Sequence, residues 1–104
     1  MGTLIIQYKK GIKEIEENEI VSTPRKSRVI TSNGIPNGYK KISKIVNKND
    51  FNNEIYTFIT DQCRKGNINY IEWEGINIQT KNITEDKIKN VINLSPQEIN
   101  NLQN

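Results

Sequence analysis

The chain contains no histidine and no alanine, and it has one cysteine, Cys63. Without histidine the commonest general base and the usual zinc ligand sets are missing, so catalysis would have to rest on carboxylates, lysine or tyrosine. A single cysteine excludes an intrachain disulfide and favours a reducing compartment, so a cytoplasmic location is expected. The start, Met1 to Ile6, lacks the basic and long apolar segments of a secretory signal, and Ile6 stands where a myristoylation signal requires Ser or Thr. No run approaches the ~20 apolar residues that cross a bilayer, so no membrane association is expected.

A further absence is local. Between Ile20 and Asn49 there is not one Asp or Glu, while Arg25, Lys26, Arg28, Lys40, Lys41, Lys44 and Lys48 contribute seven positive charges. The remaining residues hold all 12 acids against 15 − 7 = 8 bases, so the net charge of +3 is the sum of +7 in the middle and −4 outside it. Segregation of this kind produces a local field suited to polyphosphate or to an acidic protein surface. Two of the three arginines, Arg25 and Arg28, fall within four residues, and arginine is the fork that grips phosphate. A solvated lysine-rich surface is the competing explanation, and Tyr39 is the single aromatic in the run that could stack a base.

What is plentiful is Ile, Asn and Lys, a usage that points to an AT-rich genome such as a low-GC bacterium, its phages or an AT-rich virus. So many thermolabile asparagines argue for a mesophile. With 104 residues, 34% hydrophobic and 26% charged, the chain is lean in apolar content. Its isoleucines are nevertheless spaced as core faces, and the size suits one domain with a small core that needs no metal, disulfide or cofactor. One α+β domain over residues 1–104 is expected, built on a mostly antiparallel sheet.

Thr3 to Tyr8 alternates as a strand with an almost continuous apolar character, which suits a central position. Ile12 to Glu19 fits a short helix or a polar edge strand. Ile20-Val21 and Arg28 to Thr31 read as two β-branched strands, near 20–22 and 28–32, separated by Pro24 and the basic cluster. Asn33-Gly34 and Asn37-Gly38 around Pro36 indicate a broad loop. Tyr39, Ile42, Ile45 and Val46 stand at helical spacing, so 39–46 reads as helix in preference to strand, although two lysines in its first turn would oppose the helix dipole.

The second half is plainer. Phe51, Ile55, Phe58, Ile59 and Cys63 form an apolar stripe on a helix at 50–65, with Asp50 as its cap and Gly66 as its left-handed stop. Residues 68–80 read as a hairpin about Glu74-Gly75, which opposes Trp73 to Ile76 and Ile71 to Ile78 on one face, with Tyr70, Glu72, Asn77 and Gln79 on the other. Thr84 caps a helix carrying Ile88, Val91 and Ile92, and Ser95-Pro96-Gln97-Glu98 is a capping box opening a last helix.

Three groups could carry chemistry. Asp61 with Glu72-Trp73-Glu74 resembles the acidic residues that hold a divalent metal in restriction-type nucleases, but it departs from them by placing Asp61 on a helix and Glu74 in a turn; solvated carboxylates are the simpler reading, and no metal is expected. Cys63, on an apolar stripe and without a histidine partner, reads as a core residue rather than a nucleophile, and Trp73 reads as core rather than a stacking platform. Residues 84–104 also resemble a helix-turn-helix unit: Ile88, Ile92, Leu94, Ile99 and Leu102 match its apolar frame, and Leu94-Ser95-Pro96 matches the turn into its recognition helix. That resemblance implies that Gln97, Asn100 and Asn101 read adenine edges. It departs at Lys89, where such units keep a small residue, and at Glu85, Asp86 and Glu98, which would face a polyanion; two capped helices closing the core is the preferred reading.

The resulting expectation is a non-enzymatic module that holds nucleic acid, or a protein bound to nucleic acid, through the Ile20 to Asn49 surface. The alternative is a small inhibitor or immunity-type protein from a phage or other mobile element, which blocks a larger protein by direct binding. A metal-dependent nuclease ranks third.

Overall fold

In the computed structural model, residues 1–22, 27–31 and 33–103 are described. The centre is β1 (Gly2–Lys9), whose near-continuous apolar run is paired on both sides. It lies antiparallel to β3 (Tyr39–Val46) over eight residue pairs and antiparallel to β4 (Ile68–Trp73) on its other side. The sheet is completed by β2 (Ser27–Ile30) beside β3 and β5 (Ile76–Ile78) beside β4, giving the order β2-β3-β1-β4-β5 among the described residues.

Four helices contribute to the core. These are α1 (Lys13–Glu16) and α2 (Glu19–Ser22), two single turns between β1 and β2; α3 (Asn53–Arg64), which joins β3 to β4; and α4 (Glu85–Ile92), which follows β5. A last helix, α5 (Pro96–Gln103), lies against β5. The succession β1, helical turns, β2, β3, α3, β4 with strands ordered 2-3-1-4 is a split βαβ connectivity, extended here by β5 and the last two helices.

Because strand side chains alternate, each strand sends one set of residues to the helices and one set away from them. Leu4, Ile6 and Tyr8 of β1, Ile42 and Val46 of β3, Ile68, Ile71 and Trp73 of β4 and Ile78 of β5 form the inner face. They share one buried cluster with Ile15, Ile20, Val21, Ile59, Cys63, Ile88 and Ile92 from the helices. A register shift between Gln7 and Tyr8 makes Asn69 an extra residue on β4. That bulge is why Ile68 can join Ile71 in the core, although the two are three apart.

Two expected elements come out differently. Ile20-Val21 is helical rather than a strand: the Asn18 side-chain oxygen accepts from the Ile20 N–H at 2.9 Å and its carbonyl accepts from Val21 at 2.9 Å, closing a turn that buries both side chains. Residues 39–46, favoured as a helix, are strand β3, because β1 and β2 satisfy the backbone on both of its sides. The β-branched Ile42, Ile45 and Val46 suit that state, and Lys40 and Lys41 then oppose no helix dipole.

The remaining elements follow the sequence expectations closely. The hairpin turns on Glu74 (φ 50°) and Gly75 (φ 81°), a two-residue turn with both central residues left-handed, and it pairs Trp73 with Ile76 and Ile71 with Ile78. Gly66 has φ 78° after α3. Asp50 is not the cap of that helix. It belongs to a 3-10 turn, Lys48–Asp50, and the cap is Asn52, which accepts from Ile55 N at 3.0 Å. Thr84 caps α4, and Ser95 and Glu98 exchange the reciprocal hydrogen bonds of a capping box, each at 3.2 Å.

Candidate functional site

The outer face of the sheet is the surface that α1 to α4 leave uncovered, and its composition follows from register. Lys9 pairs with Tyr39. The next row across the sheet is Ile30, Lys41, Gln7 and Tyr70, followed by Arg28, Ser43, Ile5, Glu72 and Asn77, and then Ile45 with Thr3. One face thus carries the cations Lys9, Arg28 and Lys41 together with the rings of Tyr39 and Tyr70.

Glu72 is the one carboxylate borne by the described strands, and it is engaged. The Tyr70 hydroxyl donates to its Oε1 at 2.7 Å, a contact that pushes the Tyr70 hydroxyl pKa above the ordinary tyrosine value, with burial adding to the effect. Lys41 Nζ stands 4.2 Å from the centre of the Tyr70 ring. Gln7, between them on β1, is buried and donates to Asn69 at 2.9 Å. The acids of residues 14–19 belong to or flank the helical turns α1 and α2, whose Ile15, Ile20 and Val21 pack into the core beneath the inner face. Glu16 accepts from Gly11 N and raises the pKa of the inward-facing Tyr8, after the larger effect of burial, and Glu14 pairs with Lys65 at 3.8 Å.

The expected basic surface is therefore divided by strand alternation. Arg28 and Lys41 project from the outer face, whereas Lys40 and Lys44 project from the inner one, opposite Tyr8 and Leu4. Lys44 is only 6% exposed, and its Nζ donates to the Glu19 carbonyl at 2.5 Å, so it ties α2 to β3. Lys48 is exposed in the 3-10 turn. Arg25 and Lys26 lie outside the described residues. Lys9, Tyr70 and Gln7, which the acid-free run did not include, are brought in by β1 and β4.

A groove at the end of β3 is lined by Arg28, Lys44, Asn47, Asn49 and Asn52 but also by Glu19 and Asp50, so its charges are mixed. The nuclease-like acids are not assembled: Asp61 is exposed on α3, Glu72 is on the outer face, and Glu74 is in the hairpin turn, where it accepts from Thr3 N at 2.7 Å. Among the described residues no group of three or more His, Cys, Asp or Glu could hold a metal. Cys63 is buried, which pushes its thiol pKa up to about 12, and Trp73 is a core residue that meets Phe51 edge-on at 5.6 Å.

In the helix-turn-helix-like segment, Ile88 and Ile92 are buried in the core. Lys89 Nζ lies 5.3 Å from the Tyr56 ring, and Leu102 on α5 is 64% exposed. The amide of Gln103 donates to the Glu74 carbonyl, tying α5 to the hairpin.

Fold and face together define a small α+β domain with an open, cation-bearing sheet surface. Comparison with protein-family models, with curated proteins and with solved structures finds no match for this chain. No helix among the described residues is long and apolar enough to cross a membrane.

Proposed function

We propose that the protein binds nucleic acid, alone or within a nucleoprotein, through the outer face of its sheet. The observation that carries this reading is the collection of Lys9, Arg28 and Lys41 on one face where the single strand-borne carboxylate is already hydrogen-bonded. Cations held on adjacent strands present a fixed spacing of positive charge, and phosphates displace counterions from such a surface. Arg25 and Lys26 immediately precede β2 in the chain and add two positive charges to that segment of the sequence.

Titration of a fluorescein-labelled oligonucleotide tests this. Affinity is expected to fall as salt rises, with a log–log slope of about −2 if three phosphates of a single strand are neutralised. Charge reversal at Arg25, Lys26 and Arg28, and separately Arg28→Glu with Lys41→Glu, removes most of the binding, whereas Lys87→Glu on α4 does not. Binding that ignores both combinations overturns the proposal. The competing expectation, a small inhibitor that docks on another protein, is separated by nuclease treatment of a pull-down: a partner retained after digestion favours direct protein contact and counts against the nucleic-acid reading.

A further inference from the structure

Resting on the nucleic-acid reading, we infer that the ligand is single-stranded, with its bases stacked on Tyr39 and Tyr70 and its phosphates held by Lys9, Lys41 and Arg28. The first ground is shape. Five strands spaced ~4.8 Å apart make a face about 19 Å across from β2 to β5. The major groove of a duplex is about 12 Å wide and admits a helix or a two-stranded ribbon, not a sheet of this breadth. A duplex could meet this face only along its phosphates, whereas a flexible single strand can lie across it and turn its bases inward.

The second ground is chemistry. The two tyrosines of the outer face are half-buried, so their rings are braced by the sheet yet still reach its surface. Tyr39 stands beside Lys9 on the neighbouring strand, and Tyr70 lies within reach of Lys41. Each ring therefore has a cation next to it, the pairing that a nucleotide requires, with a π-surface for the base and a positive charge for the phosphate. Ile5, Ile30 and Ile45 on the same face add apolar surface rather than hydrogen-bonding groups. Such contacts tolerate any base, so little sequence preference is expected.

The third ground is the state of Lys41. Its ammonium over the Tyr70 ring occupies a position that an incoming base would take. Stacking would release the lysine to a phosphate, and the face then gains a base contact and a charge contact in one rearrangement. The Tyr70 hydroxyl remains bound to Glu72, which fixes the ring plane as this happens.

The test is fluorescence anisotropy with a labelled twelve-nucleotide oligo(U), a labelled oligo(dT) of the same length and a twelve-base-pair duplex at low salt. At least one single strand is expected to bind about tenfold or more tighter than the duplex, and Tyr39→Ala or Tyr70→Ala to weaken it by roughly 5-fold to 100-fold. Tyr70→Phe keeps the ring and loses only the hydroxyl, so it should retain most of the affinity; this separates stacking from the Glu72 contact. Thermal melts followed through Trp73 emission establish that each variant is folded. Duplex bound as tightly as single strand overturns this inference while leaving nucleic-acid binding intact, as does full affinity in a folded Tyr39→Ala, Tyr70→Ala double variant. No binding to any of the three probes overturns both readings.

Discussion

Lys41 reaches Tyr70 across the central strand: its Nζ lies 4.2 Å from the ring centre, although β1 runs between the two strands that carry them. Two strand spacings amount to ~9.6 Å, so the lysine stem must lie over Gln7 to make this contact. Gln7, on the face that α1 to α4 leave uncovered, is consequently buried. A single cation–π pair thus closes the middle of the outer face.

A double-mutant cycle on Lys41→Ala and Tyr70→Leu should return a coupling of about 0.5–1 kcal/mol in urea unfolding. Either single change is expected to expose Gln7. Coupling indistinguishable from zero at low salt would show that the pair contributes contact without stabilisation.

Cys63 links stability to alkaline pH. Its folded thiol holds the proton to about pH 12, against an ordinary value of 9.0, because burial disfavours the thiolate. Above pH 9 the unfolded chain therefore binds fewer protons than the folded one, so this contribution is complete below pH 9 and is lost as pH rises toward 12. Tyr8 and Tyr56, raised mainly by burial, and Tyr70, raised mainly by Glu72, act in the same direction. The urea midpoint should fall between pH 8 and 11, and fall less in Cys63→Val; a midpoint that holds steady in the parent protein contradicts this linkage. Thiol reagents at pH 8 should label Cys63 slowly until denaturant is added.

Lys44 and Lys48, four residues apart in the same basic run, should behave oppositely. Lys44→Ala leaves the Glu19 carbonyl without its ammonium donor and is expected to cost about 1–3 kcal/mol, whereas exposed Lys48→Ala stays within ~0.5 kcal/mol. Lys44→Met keeps the apolar stem and should fall between them. Oligonucleotide affinity of folded Lys44→Met should match that of the parent protein; a large loss would place Lys44 in the interface after all.

Legibility followed the range of the interactions concerned. The hairpin at Glu74-Gly75, the capping box of Ser95 and Glu98, the Gly66 stop and the core positions of Trp73 and Cys63 depend on neighbours within a few residues, and all were readable from the chain. The strand at 39–46 was not, because Ile42 and Val46, four apart, satisfy both a helical and an extended spacing, and only pairing with β1 and β2 selects between them. The cap of α3 moved from Asp50 to Asn52 because the intervening residues follow a separate turn begun by Asn47.

Alone, the sequence determined an α+β domain, its local stops, the caps of its last two helices, and a segregation of charge along the chain. Where those charges point was decided by the tertiary structure. A strand directs consecutive residues to opposite faces, so pairing 39–46 with β1 sent Lys41 to the open surface with Lys9 and Arg28, and sent Lys44 into the packed layer beneath α2. The same pairing set Tyr70, thirty residues from the basic run's Lys40, beside Lys41. Such neighbours are joined by register between distant strands, and no spacing within either segment encodes it.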